Sequence, residues 1–235
     1  MTHLGHPGGI CWWRAVARGG ALACALAPAP IAPAQAHPHI FVDAGVEAIF
    51  DDSGQLAALR IAWVYDDFFS MLMVSDLGLD PDFTGSVTDA ERAELDGFDM
   101  NWIEGYHGDV FVTLDGKDIS LSGPLEWTSD YRDGRLMSTH LRALPDRVRL
   151  AGRELVVSVH DPSYYTSYTI VGQAMITGRS DCSARIFEPD WEAADARLQA
   201  ALDELLGSGV DIEAEFPPVG ALFAEEVRIT CAGPS

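Results

Sequence analysis

Apolar and polar residues alternate with period two along most of this chain, and no other feature narrows its possible folds so far. The pattern runs over residues 40–50, 57–65, 109–114, 117–127, 135–143, 153–160, 166–175 and 221–231, with β-branched and aromatic side chains prominent. Successive side chains of a strand point to opposite faces, so each stretch describes a ribbon with one face in a core and one in water. Turn signals at Asp52-Ser53-Gly54, Asp115-Gly116 and Asp133-Gly134 join several of them as antiparallel hairpins. Two helical regions interrupt the pattern. One covers about 67–106 with a break in its middle. The other runs from Asp190 to Leu206, with Trp191, Leu198, Leu202 and Leu205 on one face and Gly207 as its stop. The expected class is α+β: a β-rich antiparallel sheet or sandwich with a helical insertion and a C-terminal helix. There is no internal repeat, low-complexity tract or linker that divides it.

The first 36 residues are of another kind. They contain no Asp or Glu, carry Arg14 and Arg18 in a basic leader, and run through an apolar stretch from Ala21 to Ile31 to the small-x-small box Ala34-Gln35-Ala36. That is the three-part layout of a secretory signal, and its apolar run is too short to span a bilayer as a mature helix. Cleavage there leaves a single periplasmic domain, 37–235, with no stable membrane insertion. Its length of about 200 residues suffices for one core.

Export bears on charge and on cysteine. The chain has 36 acidic against 15 basic residues, a formal charge of −21, and losing the leader removes only positive charge. Nucleic acid and anionic lipid are therefore poor partners, whereas cations are attracted broadly. Cys11 and Cys24 leave with the leader. Cys182 and Cys231 remain as one pair in an oxidising compartment, which predicts a disulfide tying the last strand to the body.

Inside the helical insertion, residues 80–91 fit a twelve-residue EF-hand loop. Asp80, Asp82, Thr84 and Thr88 place oxygen side chains at loop positions one, three, five and nine; Ser86 offers its carbonyl, and Glu91 closes the shell. Gly85 allows the sharp turn and Val87 anchors it. Calcium needs six to eight hard oxygen ligands, which is why the loop must wrap so tightly. Half of the pattern also has a plainer explanation, since Thr88-x-x-Glu91 is a helix capping box.

A second cation chemistry lies at the new N-terminus. Cleavage after Ala36 would free an α-amine beside His37 and His39, and imidazole suits zinc, copper, nickel and iron. Pro38 has no amide proton to lose, which disfavours square-planar binding through backbone nitrogens. A shell completed from elsewhere, tetrahedral if zinc, could draw on His107, His140 and His160 or on Asp66, Asp67 and Asp161. His140 and His160 end alternating stretches, so both could face one pocket. Each reads more readily as an ordinary core or surface histidine. The aromatic runs Trp63 to Phe69 and Tyr164 to Tyr168 read as core more readily than as a ligand groove, and Asp66 and Asp67 as caps of the helix that follows.

Five segments together resemble a known family: His37-Pro38-His39-Ile40-Phe41-Val42-Asp43-Ala44, the block from Trp63 to Ser70, the calcium-like loop, Val159-His160-Asp161-Pro162-Ser163-Tyr164-Tyr165, and the close from Val219 to Cys231. They are similar to the bacterial family catalogued as domain of unknown function one thousand and seven, over essentially the whole chain beyond the leader. The resemblance implies an exported protein that accompanies a NicO-type nickel/cobalt permease, and its ZevA-type members imply periplasmic zinc binding and uptake. Of possible ligands it carries over only the H-P-H opening. Family members often have Asp at the fifth loop position, where this chain has Thr84, and an aromatic residue where it has His160.

The expected function is a periplasmic accessory protein that captures zinc, or nickel or cobalt, and supplies an inner-membrane NicO-type permease. His37 and His39 would be ligands, with His140, His160 and Asp161 as the further candidates, and calcium would stiffen the insertion. Two other readings stand beside it: a copper-binding protein or copper-dependent oxidative enzyme using the N-terminal His, and a calcium-stabilised scaffold module without catalysis. No nucleophile, base and orienting group occur at a recognisable local spacing, so nothing supports a hydrolytic enzyme.

Overall fold

A computed structural model describes residues 38–208 and 216–233, and the expected leader and His37 lie outside the described residues. In chain order the elements are β1 (Ile40–Phe50), β2 (Leu56–Tyr65), α1 (Asp67–Asp76), α2 (Asp89–Leu95), β3 (Val110–Leu114), β4 (Lys117–Ile119), β5 (Leu125–Arg132), β6 (Arg135–Val148), β7 (Glu154–Val159), β8 (Thr166–Ile170), β9 (Met175–Thr177), β10 (Cys182–Phe187), α3 (Trp191–Ser208) and β11 (Glu225–Cys231). A 3₁₀ turn, Gly220–Phe223, precedes β11.

The strands form two sheets. The first has the order β5-β6-β2-β1-β8, with β9 continuing beside β1; the second has the order β10-β11-β7-β3-β4. Neighbours are antiparallel except β8 and β9, which both run parallel to β1. Alternation in β1 turns Val42, Ala44, Val46, Ala48 and Phe50 inward. In the hairpin to β2 the Asp51 carboxylate accepts the Ser53 and Gln55 amides at 2.9 and 3.0 Å, which fixes the register that turns Ile61, Trp63 and Tyr65 inward as well. Val110, Val112 and Leu114 of β3, Leu155, Val157 and Val159 of β7, and Val227 and Ile229 of β11 supply the second sheet's inner face. Both inner faces belong to one core cluster, so the body is a two-sheet sandwich.

β6 departs from this apolar rule. Its inward positions Leu136, Ser138, His140, Arg142 and Leu144 are all buried, so three polar side chains face the core. At its far end the register with β2 slips between the pairs Ala58–Ala143 and Leu56–Val148, around Pro145, which has no N–H to give to a ladder.

The helical insertion is a helix, a loop and a second helix. Asp66 caps α1, its carboxylate accepting the Phe69 amide at 2.8 Å and the Phe41 amide at 2.8 Å. Thr88 caps the seven-residue α2 in a reciprocal capping box with Glu91. Beyond Leu95 the chain reaches β3 through turns rather than a continued helix. α3 buries Ala194 and Leu198 against Val219 and Phe223, while Trp191, expected on the packed face, is 46% exposed. Gly207 does not stop α3, which continues to Ser208. The Cys182–Cys231 disulfide is present and joins directly opposed residues of β10 and β11.

Candidate functional site

The head of β1 carries His39. Its backbone N–H donates to the Tyr165 carbonyl at 2.8 Å, its ring lies 4.7 Å from the Tyr165 ring, and the residue is exposed. Asp161 builds this corner: its carboxylate accepts the Ser163 and Thr166 amides at 2.8 and 3.0 Å and so folds the turn that delivers Tyr165 to β1. Gly220 closes the corner from behind. A Cβ there would overlap the Asp161 carbonyl, so the chain can pass only as glycine. His160, one residue before the turn, stacks on Phe111 with ring centroids 4.2 Å apart and shares a 3.0 Å hydrogen bond between Nδ1 and the Ser158 hydroxyl. Burial pushes its pKa down to about 4 against the pull of Asp161, so the ring is neutral at pH 7, the form that ligates metal.

His140 lies elsewhere. It has no exposed surface, and its ring sits between Trp63, 4.7 Å away, and Trp102, 5.3 Å away, edge-on to both. Neither ring nitrogen has a hydrogen-bond partner among the described residues, and neither has the buried Nε1 of Trp63. Burial, helped by the positive charge of Arg142, lowers the His140 pKa to about 3. Arg142 is itself buried, donates to the Ser122 and His107 carbonyls at 2.6 and 3.0 Å, lies 4.7 Å over the Trp102 ring, and is lowered by burial to about 10.

Two carboxyls that sequence reasoning did not single out complete this interior. Asp99 accepts the Tyr65 hydroxyl at 2.8 Å and the Ser138 hydroxyl at 2.5 Å through Oδ2, while its buried Oδ1 has no partner among the described residues. Burial raises its pKa despite those two hydrogen bonds. Asp109 accepts the Tyr168 and Tyr106 hydroxyls at 2.7 and 3.0 Å, and burial raises it to about 6. It is held at φ +53°, where a residue with a Cβ is uncommon. Gly108 beside it lies so close to Trp102 and Arg142 that a Cβ would overlap both. The turns from Asp96 to Asp109 thus close an imidazole, a guanidinium and two carboxyls against the inner face of the first sheet. Nothing in the run Asp99-Met100-Asn101-Trp102 marks Asp99 as buried. The only signal for it is the inward parity of Tyr65 and Ser138, which need a polar partner.

The five metal candidates are accordingly divided. His39, His160 and Asp161 belong to the β1 corner and its turn, His140 to the sandwich interior, and His37 lies outside the described residues. Among the described residues no three His, Cys, Asp or Glu side chains converge to hold a metal ion. Of the other candidates, Asp66 serves the α1 cap, Asp67 lies 3.7 Å from Arg135, and the His107 ring lies 6.1 Å from that of Phe111.

The six expected calcium ligands do come together. Asp80, Asp82, Thr84, Ser86, Thr88 and Glu91 line one bowl of about 220 Å³. The carboxylates at its two ends also serve the loop itself. Asp80 accepts the Thr84 and Gly85 amides at 2.7 and 2.9 Å, and Glu91 accepts the Thr88 amide at 2.8 Å and the Asp80 amide at 3.2 Å. Burial pushes Asp80 up, but those donors outweigh it and hold its carboxyl below the usual range; the bonds from Thr88 do the same for Glu91. Both ends are therefore ionised at neutral pH. Gly85, at φ +76°, makes the turn that the loop pattern assigns to it.

Fold and site together define a two-sheet β-sandwich with a helix–loop–helix insertion, a surface histidine corner and a closed polar interior. The chain belongs to the family described as protein of unknown function (DUF1007), whose family model matches residues 21–231. No curated protein matches it. Among solved structures, acetylcholine-binding protein type 1 of Biomphalaria glabrata is similar at 12% identity with a TM-score of 0.37, covering 88% of this chain and 92% of that one.

Proposed function

We propose that this is an exported metal-binding accessory protein that captures zinc, or nickel or cobalt, at its N-terminal histidines and supplies it to an inner-membrane permease of the NicO type. The observation that carries the reading is the placement of His39. It stands exposed at the head of β1, with its backbone tied through Tyr165 to the Asp161–Thr166 turn, so its imidazole is presented at the surface rather than in the core. Asp161 and His160, on the adjoining turn, are the further candidates that would have to approach His39 on binding, and His140 is not one, being walled in by Trp63 and Trp102. The same proposal gives calcium to the bowl between Asp80 and Glu91, where it would brace the insertion. Delivery to a permease rests on the family resemblance.

The test is the metal content and zinc affinity of protein purified with its natively processed N-terminus. A His37→Ala/His39→Ala variant is expected to bind zinc about tenfold more weakly or worse, and His140→Phe to leave binding unchanged. Unchanged zinc retention in the double variant would end the proposal. Copper retained with a type-two EPR spectrum would favour the copper reading instead. Metal uptake that survives deletion of the permease would remove the delivery step alone.

A further inference from the structure

Helix α1 is apolar on both faces, since Phe69 and Met73 pack half-buried against the core beside Val74. The residues it buries are Ser70 and Val74, whereas Phe68, Met71 and Leu72 are exposed at 65%, 46% and 45%. Spacings of three and four place Phe68, Met71 and Leu72 on a common outward face. The inward serine has a task, since its hydroxyl accepts the Leu136 amide at 2.9 Å and ties the helix to β6. The outward apolar residues have no such task among the described residues. The turn that follows adds Phe83, 81% exposed and held at φ +53°, a conformation uncommon for an aromatic residue. Between Met71 and Phe83 runs a groove of about 130 Å³ floored by Val74, Leu79 and Tyr131. Grouped apolar side chains displayed on so acidic a surface mark an interaction site rather than chance exposure.

Charge selects the occupant. Asp67 and Asp76 stand exposed at the two ends of α1, and the chain carries −21 overall. A second copy would bring two acidic rims together, and anionic headgroups would be repelled in the same way. We infer that α1 and the turn through Phe83 form the docking groove for a cationic amphipathic segment of another protein. Its apolar side chains lie between Met71 and Phe83, and its Lys or Arg residues meet Asp67 and Asp76. This groove is distinct from the histidine corner and does not depend on the metal that binds there.

The test uses the full processed protein and four probes: a synthetic amphipathic helix of leucine and lysine, its leucine and glutamate counterpart, and vesicles of anionic or of zwitterionic phospholipid. The lysine helix is expected to bind, and a Met71→Ser/Phe83→Ser variant to bind it about tenfold more weakly at unchanged net charge and unchanged zinc content. An Asp76→Asn variant should bind more weakly with a shallower salt dependence. The glutamate helix and both vesicles should not bind. Full affinity of the serine variant for the lysine helix would show attraction to net charge alone and overturn the groove. Binding to either vesicle, or concentration-dependent self-association that the serine substitutions abolish, would overturn the occupant. Both substituted side chains are exposed, and an unchanged melting temperature confirms the fold of each variant.

Discussion

At the scale of single residues, His140 and Asp109 pull stability in opposite directions with pH. In the folded protein His140 stays neutral down to about 3, whereas the unfolded chain takes up that proton near 6.5. Over that window the unfolded state binds more protons, so the contribution is full above pH 6.5 and is lost as pH falls toward 3. Asp109 titrates at about 6 when folded and near 3.8 otherwise, so the native state holds the extra proton, and its contribution is lost as pH rises through about 6. Asp99, also raised, acts in the same sense as Asp109. The His140 shift exceeds that of Asp109, and His160, likewise lowered to about 4, adds to it, so the melting temperature should fall from neutral pH to pH 4. In His140→Phe that fall should become shallower but persist, because His160, lowered to about 4, and the lowered carboxyls of Asp80 and Glu91 still act in the same sense against Asp109 and Asp99. At neutral pH the phenyl ring, set between Trp63 and Trp102, should cost no more than about 1 kcal/mol, since it replaces two buried nitrogens that have no partner among the described residues. An acid slope equal to that of the unsubstituted protein would refute this assignment. The inward parity of His140 is legible in the alternation of Leu136, Ser138 and His140. Its company is not, because the turns that bring Asp99 and Trp102 over it carry no period.

At the scale of elements, alternation locates strands wherever one face meets the core and the other meets water. β1 begins and ends where the pattern does, and β2, β3 and β7 differ from it only at their ends. The pattern misplaces structure where something other than the core decides. The stretch 117–127 divides into β4 and the start of β5 around Pro124, and 221–231 opens with a 3₁₀ turn because Gly220 must slip past the Asp161 carbonyl. β10 falls outside the expected strands altogether. Cys182-Ser183-Ala184-Arg185-Ile186-Phe187 is a short edge strand paired through the ladder to β11, and half-buried residues alternate with exposed ones along it. What holds it is the ladder, the half-burial of Ala184 and Ile186 against the core, and the disulfide between Cys182 and Cys231, which acts at that one edge. Replacing both cysteines by serine should cost about 2–4 kcal/mol in denaturant unfolding. It should also speed amide exchange in β10 well before that in β1 and β2. Uniform loss of protection across both sheets would mean that the bond holds the whole sandwich and not its edge.

At the scale of the whole molecule, the acidic excess that is plain in the sequence meets the one loop pattern that the fold gathers into a bowl. A chain at −21 repels itself, so any salt that screens it should raise the melting temperature. That general effect would hide a specific one unless ionic strength is held constant. Calcium and magnesium chloride at equal ionic strength screen alike, but a loop of oxygen ligands built to wrap prefers the larger ion with its looser geometry. Calcium should therefore raise the melting temperature further than magnesium does. Glu91→Gln should remove that difference, since an amide presents one oxygen where the carboxylate presents two. It should leave the sodium chloride effect intact, because glutamine still completes the capping box with Thr88. The expected outcome is thus a calcium increment that is present with Glu91 and absent in the Glu91→Gln variant, over a response to salt common to both. Equal responses to calcium and magnesium in both proteins would leave Asp80 and Glu91 as supports of the turn, and the negative surface as the only cation attractor of the insertion.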